Sequence, residues 1–214
     1  MATYAHAVSD DEFDRARRVG ADSWSIGNRV LYDLCEEYPW HDNVRAVVAK
    51  VWLIGRSYSA AIERHCKPLP SNAPVDALYT RIAHLLRSSS LDSALRSLNK
   101  SGPRTESDLR VPIEIHYRML RTLKPLTRRS PRSFASKYLH FHAPAWFFIY
   151  DSVASRGLRR LLGRRRRSRM LRSMGDGQYA HFVAGAWILR GDLVARGASL
   201  SMRELDVILL AHGA

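Results

Sequence analysis

Cysteine is scarce in this sequence, and long apolar runs are missing. Among 214 residues the cysteines are Cys35 and Cys66, which can form at most one disulfide and cannot supply the four thiolates of an all-cysteine iron–sulfur cluster. No apolar run reaches about eighteen residues, and no signal-peptide core follows Met1. We therefore expect a reduced, cytoplasmic protein that does not enter a membrane, and we predict neither a metal site nor a cofactor.

Strand-like alternation, tandem repeats and glycine-rich nucleotide loops are also absent from the sequence. Apolar residues instead recur at helical spacing, as from Val44 through Val51 and Tyr58 to Ile62. Asp42 is the expected N-cap of that helix, and the prolines from Pro68 onwards are its expected end. The pattern predicts an all-α chain. Its length suits a single domain of two helical lobes around a cleft, at about residues 1–124 and 125–214.

Acidic residues are outnumbered, since 34 lysines and arginines stand against 20 aspartates and glutamates and give a formal charge of +14. Such an excess attracts polyanions at long range. Arginine predominates over lysine, and its planar guanidinium suits phosphate. The charge predicts a nucleic-acid partner. The densest run predicts either a phosphate clamp or a solvated loop, and its residues are Arg164, Arg165, Arg166 and Arg167.

One segment places a lysine and an aspartate around a short apolar connector. Lys137 lies within a helix that carries an aromatic stripe, and Asp151 follows the connector where the next helix is expected to begin. The amides at a helix start hold an aspartate N-cap in place, and a lysine amine can act as a nucleophile. On spacing alone, an ordinary surface lysine beside an ordinary helix cap is the preferred explanation of the segment.

The string SFASKYLHFHAPAWFFIYDSVASRGL resembles the lysine-to-aspartate segment of the helix-hairpin-helix DNA glycosylase superfamily. It is most similar to a divergent bacterial branch with the 8-oxoguanine glycosylase fold. The helix with Tyr179, Phe182 and Trp187 and the SMRELDVILL segment are similar to the C-terminal part of that branch. A weaker similarity is to phage-defence glycosylases that remove glucosylated hydroxymethylcytosine.

The resemblance implies that a damaged or modified base is flipped out of double-stranded DNA. Lys137 would attack C1′, Asp151 would assist it, and the resulting Schiff base can lead on to strand incision. The hairpin is degenerate, because it lacks the glycine-rich turn of typical members, and the lysine-to-aspartate gap is shorter than theirs. Phosphate contacts would then fall to Arg128, Arg129 and Arg132. The expected lining of the base pocket is Trp146, Phe147 and Tyr150.

Further expectations and two alternatives accompany this interpretation. We expect a nucleoid-associated monomer. One alternative is a non-catalytic, basic DNA-binding protein. The other is a ribonuclease of the HEPN type, because Arg110 and His116 have roughly the required spacing. The pair His140 and His142 points in different directions on a helix, so we do not expect joint metal ligation.

Overall fold

The computed structural model describes residues 8–18, 23–163, 174–197 and 200–214. Within these residues the chain is all-α, which confirms the predicted fold class, and strand pairing is limited to an isolated bridge between Cys66 and Thr127. Short 3-10 turns span Ile62–His65 and Glu106–Leu109. The helices are α1 (Asp10–Arg17), α2 (Ser23–Glu37), α3 (Val44–Ser57), α4 (Ala77–Arg87), α5 (Leu91–Arg96), α6 (Arg110–Leu123), α7 (Arg132–His142), α8 (Ser152–Leu162), α9 (Gly177–Val194) and α10 (Met202–Gly213).

Two hydrophobic cores organise these helices. The first is formed mainly by α2 to α7 and continues to Phe147, whereas the second combines α1 with α8, α9 and α10. The expected division at about residue 124 differs from this arrangement at two helices. The aromatic side chains of α7, such as Tyr138, pack into the first core, and Phe13 of α1 packs into the second. The chain therefore crosses between the cores more than once.

The two crossing segments are α6 and the connector from residue 143 to residue 151. Ile113 in the first half of α6 belongs to the second core, and Met119 in its second half belongs to the first. Along the connector, Phe147 belongs to the first core and Phe148 to the second. This crossing places the start of α8 beside α7, at the junction of the cores.

The backbones of α8 and α10 are in close contact at two glycines, Gly157 and Gly213. A Cβ atom at Gly157 would lie 2.0 Å from the carbonyl oxygen of Leu209, and one at Gly213 would lie 2.0 Å from that of Val153. Real side chains do not tolerate such distances, so these positions need glycine for the two backbones to touch. The contact fixes α10 against the helix that Asp151 begins.

Helix α3 is shorter than the sequence predicted. It begins after Asn43, whose side chain accepts from the Ala46 amide, rather than after Asp42. It ends at Ser57 rather than near Pro68, because Ser59 adopts a positive φ of 50°, which a right-handed helix does not contain. The early end leaves the Tyr58 carbonyl outside the helical hydrogen-bond ladder.

Candidate active site

Lys137 and Asp151 are in direct contact at the junction of the cores. Lys137 lies in the middle of α7, and its Nζ donates a hydrogen bond to Oδ2 of Asp151 over 3.2 Å. The side chain of Lys137 is 7% exposed and that of Asp151 is 20% exposed. The pair therefore lies at the edge of the interior, where water screens its attraction less than on an open surface.

Asp151 uses its two carboxylate oxygens for different purposes. While Oδ2 faces Lys137, Oδ1 accepts from the amide of Ala154 over 2.8 Å and caps α8. The predicted helix start at Asp151 is thus confirmed. Because the cap fixes the side chain, the second oxygen is held in a defined position beside the lysine.

Ser136 ties the two neighbours of the pair together. Its Oγ accepts from the amide of Tyr150 over 3.0 Å and lies 3.2 Å from the carbonyl oxygen of the same residue. Since Ser136 precedes Lys137 and Tyr150 precedes Asp151, the hydroxyl joins α7 to the connector next to the ion pair. The serine is fully buried, so water does not compete for these bonds.

The end of α3 supplies a third partner for the lysine. Nζ of Lys137 donates to the carbonyl oxygen of Tyr58 over 2.9 Å, and Tyr58 is the C-cap of α3. Carbonyl groups at a helix C-terminus carry partial negative charge, which favours a nearby cation. The sequence did not predict this contact, because it predicted that the helix continues through Tyr58.

Helix α10 adds a second carboxylate that the sequence analysis missed. Arg203 donates to Oδ2 of Asp206 over 2.6 Å, and the Asp206 side chain is 2% exposed. Burial raises the pKa of Asp206 to about 7; the cations of Arg203 and Lys137 lower it, and the charge of Asp151 raises it further. Asp206 is thereby within electrostatic reach of the ion pair. The signal in the sequence was an aspartate on the apolar face of a helix.

Aromatic rings surround this charged cluster. The hydroxyl of Tyr32 lies 2.8 Å from Nε2 of His140, and the Tyr32 and Tyr58 rings pack on Phe141 with centroids 4.8 and 5.1 Å away. The guanidinium of Arg203 lies 6.0 Å from the centre of the Tyr58 ring. Burial raises the pKa of both tyrosines to about 12. Both tyrosines are only partly buried.

The three residues predicted to line a base pocket are buried in the cores. Trp146 and Phe147 belong to the first core, and the indole of Trp146 donates to the carbonyl oxygen of Asn99 over 2.7 Å. Tyr150 belongs to the second core, and its hydroxyl accepts from Gln178 over 2.6 Å. These packed positions leave little surface for a ligand, in contrast to Tyr32 and Tyr58.

The loop from residue 124 to residue 131 joins α6 to α7 and carries two of the predicted phosphate-binding arginines. Its backbone is held by Lys67, whose amide donates to Leu126, and by His65, whose carbonyl accepts from Arg128. The loop borders a depression of about 700 Å³. Asp176 lines the depression together with four cations, which are Arg121, Lys124, Arg128 and Arg129.

The remaining predicted arginines have different placements. Arg132 forms an ion pair with Asp176, with 2.6 Å between Nε and Oδ2, and Asp176 in turn caps α9. This guanidinium therefore has a structural partner. The predicted clamp lies outside the described residues, and its members are Arg164, Arg165, Arg166 and Arg167.

The histidines do not combine into a site. His116 is fully buried and stacks on Tyr179 at 3.7 Å between ring centres, and burial lowers its pKa to about 4. It cannot reach an RNA substrate alongside the exposed Arg110. His140 bonds to the Phe147 carbonyl, while His142 stacks on His41. The described residues contain no group of three potential ligands able to hold a metal ion.

No described helix is both long enough and apolar enough to cross a membrane. Comparison of the chain with protein-family models, with characterised proteins and with solved structures gives no match.

Proposed function

We propose that this chain is a DNA glycosylase that removes a damaged or modified base, such as a phage-type modified cytosine, from double-stranded DNA. The observation that carries the proposal is the contact between Lys137 and Asp151, a nearly buried amine held by a carboxylate that caps a helix. An amine nucleophile next to a fixed anion suits displacement at a sugar carbon, where positive charge develops as the base departs.

The chemistry requires an unstacked nucleotide, because C1′ is out of reach within the duplex. Once deprotonated, the Lys137 amine forms a bond to C1′ while the bond from C1′ to the base breaks. The bonding electrons leave with the base, which then takes a proton. The negative charge of Asp151, 3.2 Å from Nζ, stabilises the sugar cation. The Schiff base that forms after ring opening allows phosphate elimination and strand incision.

The loop between α6 and α7 supplies a surface for the DNA backbone. Arg128 and Arg129 are exposed there, and Arg121 and Lys124 extend the same positive depression. Four cations within one depression provide the field and the hydrogen-bond donors that phosphates require. These side chains replace the glycine amides that typical helix-hairpin-helix members present.

Tyr32 and Tyr58 are our proposed contacts for the extruded base. Both are partly exposed, both pack on Phe141, and the carbonyl of Tyr58 bonds to the nucleophile. Aromatic faces beside a reactive centre favour stacking of a flipped base. We favour them over Trp146 and Phe147, whose rings are occupied by core packing.

The decisive experiment is a panel of duplexes that each contain one lesion or one modified cytosine. We expect one member to release free base and to form a borohydride-stable adduct that peptide mapping assigns to Lys137. Binding without base release or adduct on every duplex would favour the non-catalytic DNA-binding alternative.

A further inference from the structure

The proposed chemistry assigns two conflicting tasks to a single carboxylate. Lys137 must lose a proton before its amine can attack, and the sugar needs a negative charge while the base departs. If Asp151 took the proton, its charge would be lost when the sugar cation forms. A second group that accepts the proton removes the conflict, and this inference rests on the function proposed above.

Asp206 has the position and the chemistry for that task. Its side chain is almost completely buried, its Oδ2 accepts from Arg203, and its Oδ1 has no hydrogen-bond partner. A buried carboxylate oxygen without a donor is costly when charged, which favours uptake of a proton. The glycine contacts between α8 and α10 fix the helix that carries it against the helix that Asp151 begins.

The charged and titratable groups around Asp206 come from several helices. Arg203 lies on α10, Lys137 and His140 on α7, and Asp151 at the start of α8. Tyr32 of α2 and Tyr58 at the end of α3 respond to the charge of Asp206, and burial keeps both hydroxyls protonated at neutral pH. Since burial also lowers the pKa of His140 to about 4, this histidine is neutral there. Asp206 is thus the group whose titration alters the site near pH 7.

We propose that Asp206 is the proton-accepting residue of this site, which takes the proton released by Lys137 while Asp151 keeps its charge. One N–H bond of the Lys137 ammonium group breaks and one O–H bond forms on the Asp206 carboxylate, so both groups become neutral while Asp151 keeps its charge. No other bond changes in this step. The neutral amine then attacks C1′, and the Asp206 carboxyl can return the proton to the departing base.

The raised pKa of Asp206 strengthens the argument from position. A carboxylate whose pKa is about 7 is a stronger base than an exposed aspartate, so transfer from a lysine costs less free energy. It is also largely ionised just above neutral pH and thus ready to accept. Two carboxylates with separated tasks and separated environments are a common arrangement in acid–base catalysis.

A duplex with one abasic site tests the proposal without knowledge of the excised base. The open-chain sugar offers an aldehyde at C1′, which Lys137 attacks with loss of water, and cyanoborohydride reduces the resulting imine to a stable adduct. We expect the wild-type trapping rate to rise with pH and to level off above about pH 7. Asp206→Asn, which keeps an acceptor for Arg203, should trap about 100-fold more slowly at pH 7 and approach the wild-type rate at high pH.

A second variant should shift the midpoint of the pH profile rather than remove the pH-dependent step. Arg203→Gln removes the cation that lowers the pKa of Asp206, so the midpoint should move upwards by about one pH unit or more. Glu114→Gln is the control for Asp206→Asn, because Glu114 is exposed on α6 and its loss raises the net charge by one, as the loss of an ionised Asp206 does. If Asp206→Asn fails to melt cooperatively, Arg203→Gln decides the test.

The outcomes separate this inference from the proposed function. If wild-type protein forms no adduct at Lys137 on abasic or modified duplexes at any pH, the glycosylase proposal fails. This inference, which rests on that proposal, then fails as well. If Lys137 is trapped but Asp206→Asn keeps the wild-type profile, Asp206 is a structural residue. A midpoint that Arg203→Gln leaves unchanged, or that Glu114→Gln also shifts, would overturn the inference as well.

Discussion

At the scale of single residues, the junction of the cores concentrates groups that would each be costly when buried alone. Lys137 has Asp151 and the Tyr58 carbonyl as partners, and Asp206 has Arg203. Removal of one partner from a buried pair usually costs more than the pair contributes. Because desolvation of both charges offsets their attraction, such pairs often contribute little net stability, and this favours the chemical role that we propose for the cluster.

Replacement of Lys137 by alanine tests the nucleophile. We expect Lys137→Ala to abolish base release and borohydride trapping, while DNA affinity changes by no more than a few-fold, because one of 34 basic residues contributes little to a distributed field. Lys100→Ala, at an exposed lysine, should retain full activity. Base release by Lys137→Ala at the wild-type rate would show that the amine is not the nucleophile.

Replacement of Asp151 by asparagine separates its charge from its role as a helix cap. Asparagine caps helices about as well as aspartate, so Asp151→Asn should keep the helix content of the wild-type protein in circular dichroism, although the loss of the counter-charge of Lys137 lowers the melting temperature. The single-turnover rate of base release should nevertheless fall by about 100-fold or more, because the sugar cation loses its counter-charge. An unchanged rate would reduce Asp151 to a structural cap.

The sequence predicted part of this site. The helix start at Asp151 could be predicted because a helix cap and an apolar connector leave clear local signals, whereas the pairing of Lys137 with Asp151 was expected only from the family resemblance. The sequence could not predict the contacts of Tyr58, Arg203 and Asp206, because these contacts depend on how α3 ends and on how α10 packs. Such contacts are tertiary, and single-sequence patterns carry little information about them.

At the scale of helices, the approach of α8 to α10 determines where Asp206 lies relative to Asp151. We expect Gly157→Ala to lower the free energy of unfolding by about 1–3 kcal/mol, because a Cβ only 2.0 Å from the Leu209 carbonyl oxygen forces the helices apart. It should also slow trapping at Lys137. Thermal melts and the abasic-site assay measure the two effects.

Gly191 is the matched control for that substitution. It lies in α9, and a Cβ there would meet nothing within 4 Å. Gly191→Ala should therefore raise stability by up to about 1 kcal/mol through helix propensity and leave trapping unchanged. Equal melting temperatures for the two variants would mean that α8 and α10 do not depend on their glycine contact.

Buried histidines on α6 and α7 make the fold sensitive to acid. Burial lowers the pKa of His116 and His140 to about 4 in the folded chain, below the usual 6.5. The unfolded chain therefore binds protons that the folded chain does not, so stability is retained above pH 6.5 and falls as the pH drops towards 4. Each histidine should cost on the order of 2 kcal/mol at pH 5.

Urea midpoints at pH 7 and pH 5 measure this loss. His116→Phe, which preserves a ring against Tyr179, should show a smaller loss between the two pH values. His84→Gln, at an exposed histidine, should show the wild-type loss. An equal loss in His116→Phe and wild type would mean that other groups take up the protons.

At the scale of the whole molecule, the fold class was the feature that the sequence predicted best, because helical periodicity is summed over many residues. The boundary between the cores was harder to place. The expected division lay at about residue 124, yet α6 contributes to both cores and α1 joins the C-terminal helices. Long-range packing of this kind leaves no periodic signal.

The positive charge of this chain offers two candidate surfaces for DNA, which substitutions by Gln can tell apart. Three sets of four Gln substitutions each lower the formal charge of +14 by four. The first set changes the depression beside the α6–α7 loop and comprises Arg121, Lys124, Arg128 and Arg129. The second changes the predicted clamp and comprises Arg164, Arg165, Arg166 and Arg167. The third is a control at exposed arginines and comprises Arg15, Arg17, Arg45 and Arg81.

A lower net charge alone weakens binding similarly in all three sets, whereas removal of side chains that bind phosphate also changes the salt dependence. The slope of log K against log salt should become shallower by about 0.9 for each phosphate that the protein no longer neutralises. We expect this change for the first two sets on every duplex sequence alike, and no change for the control. Single-turnover rates on bound substrate should remain nearly intact. If the first set leaves the slope unchanged, the loop does not hold the backbone, and the proposed DNA surface must lie on another face.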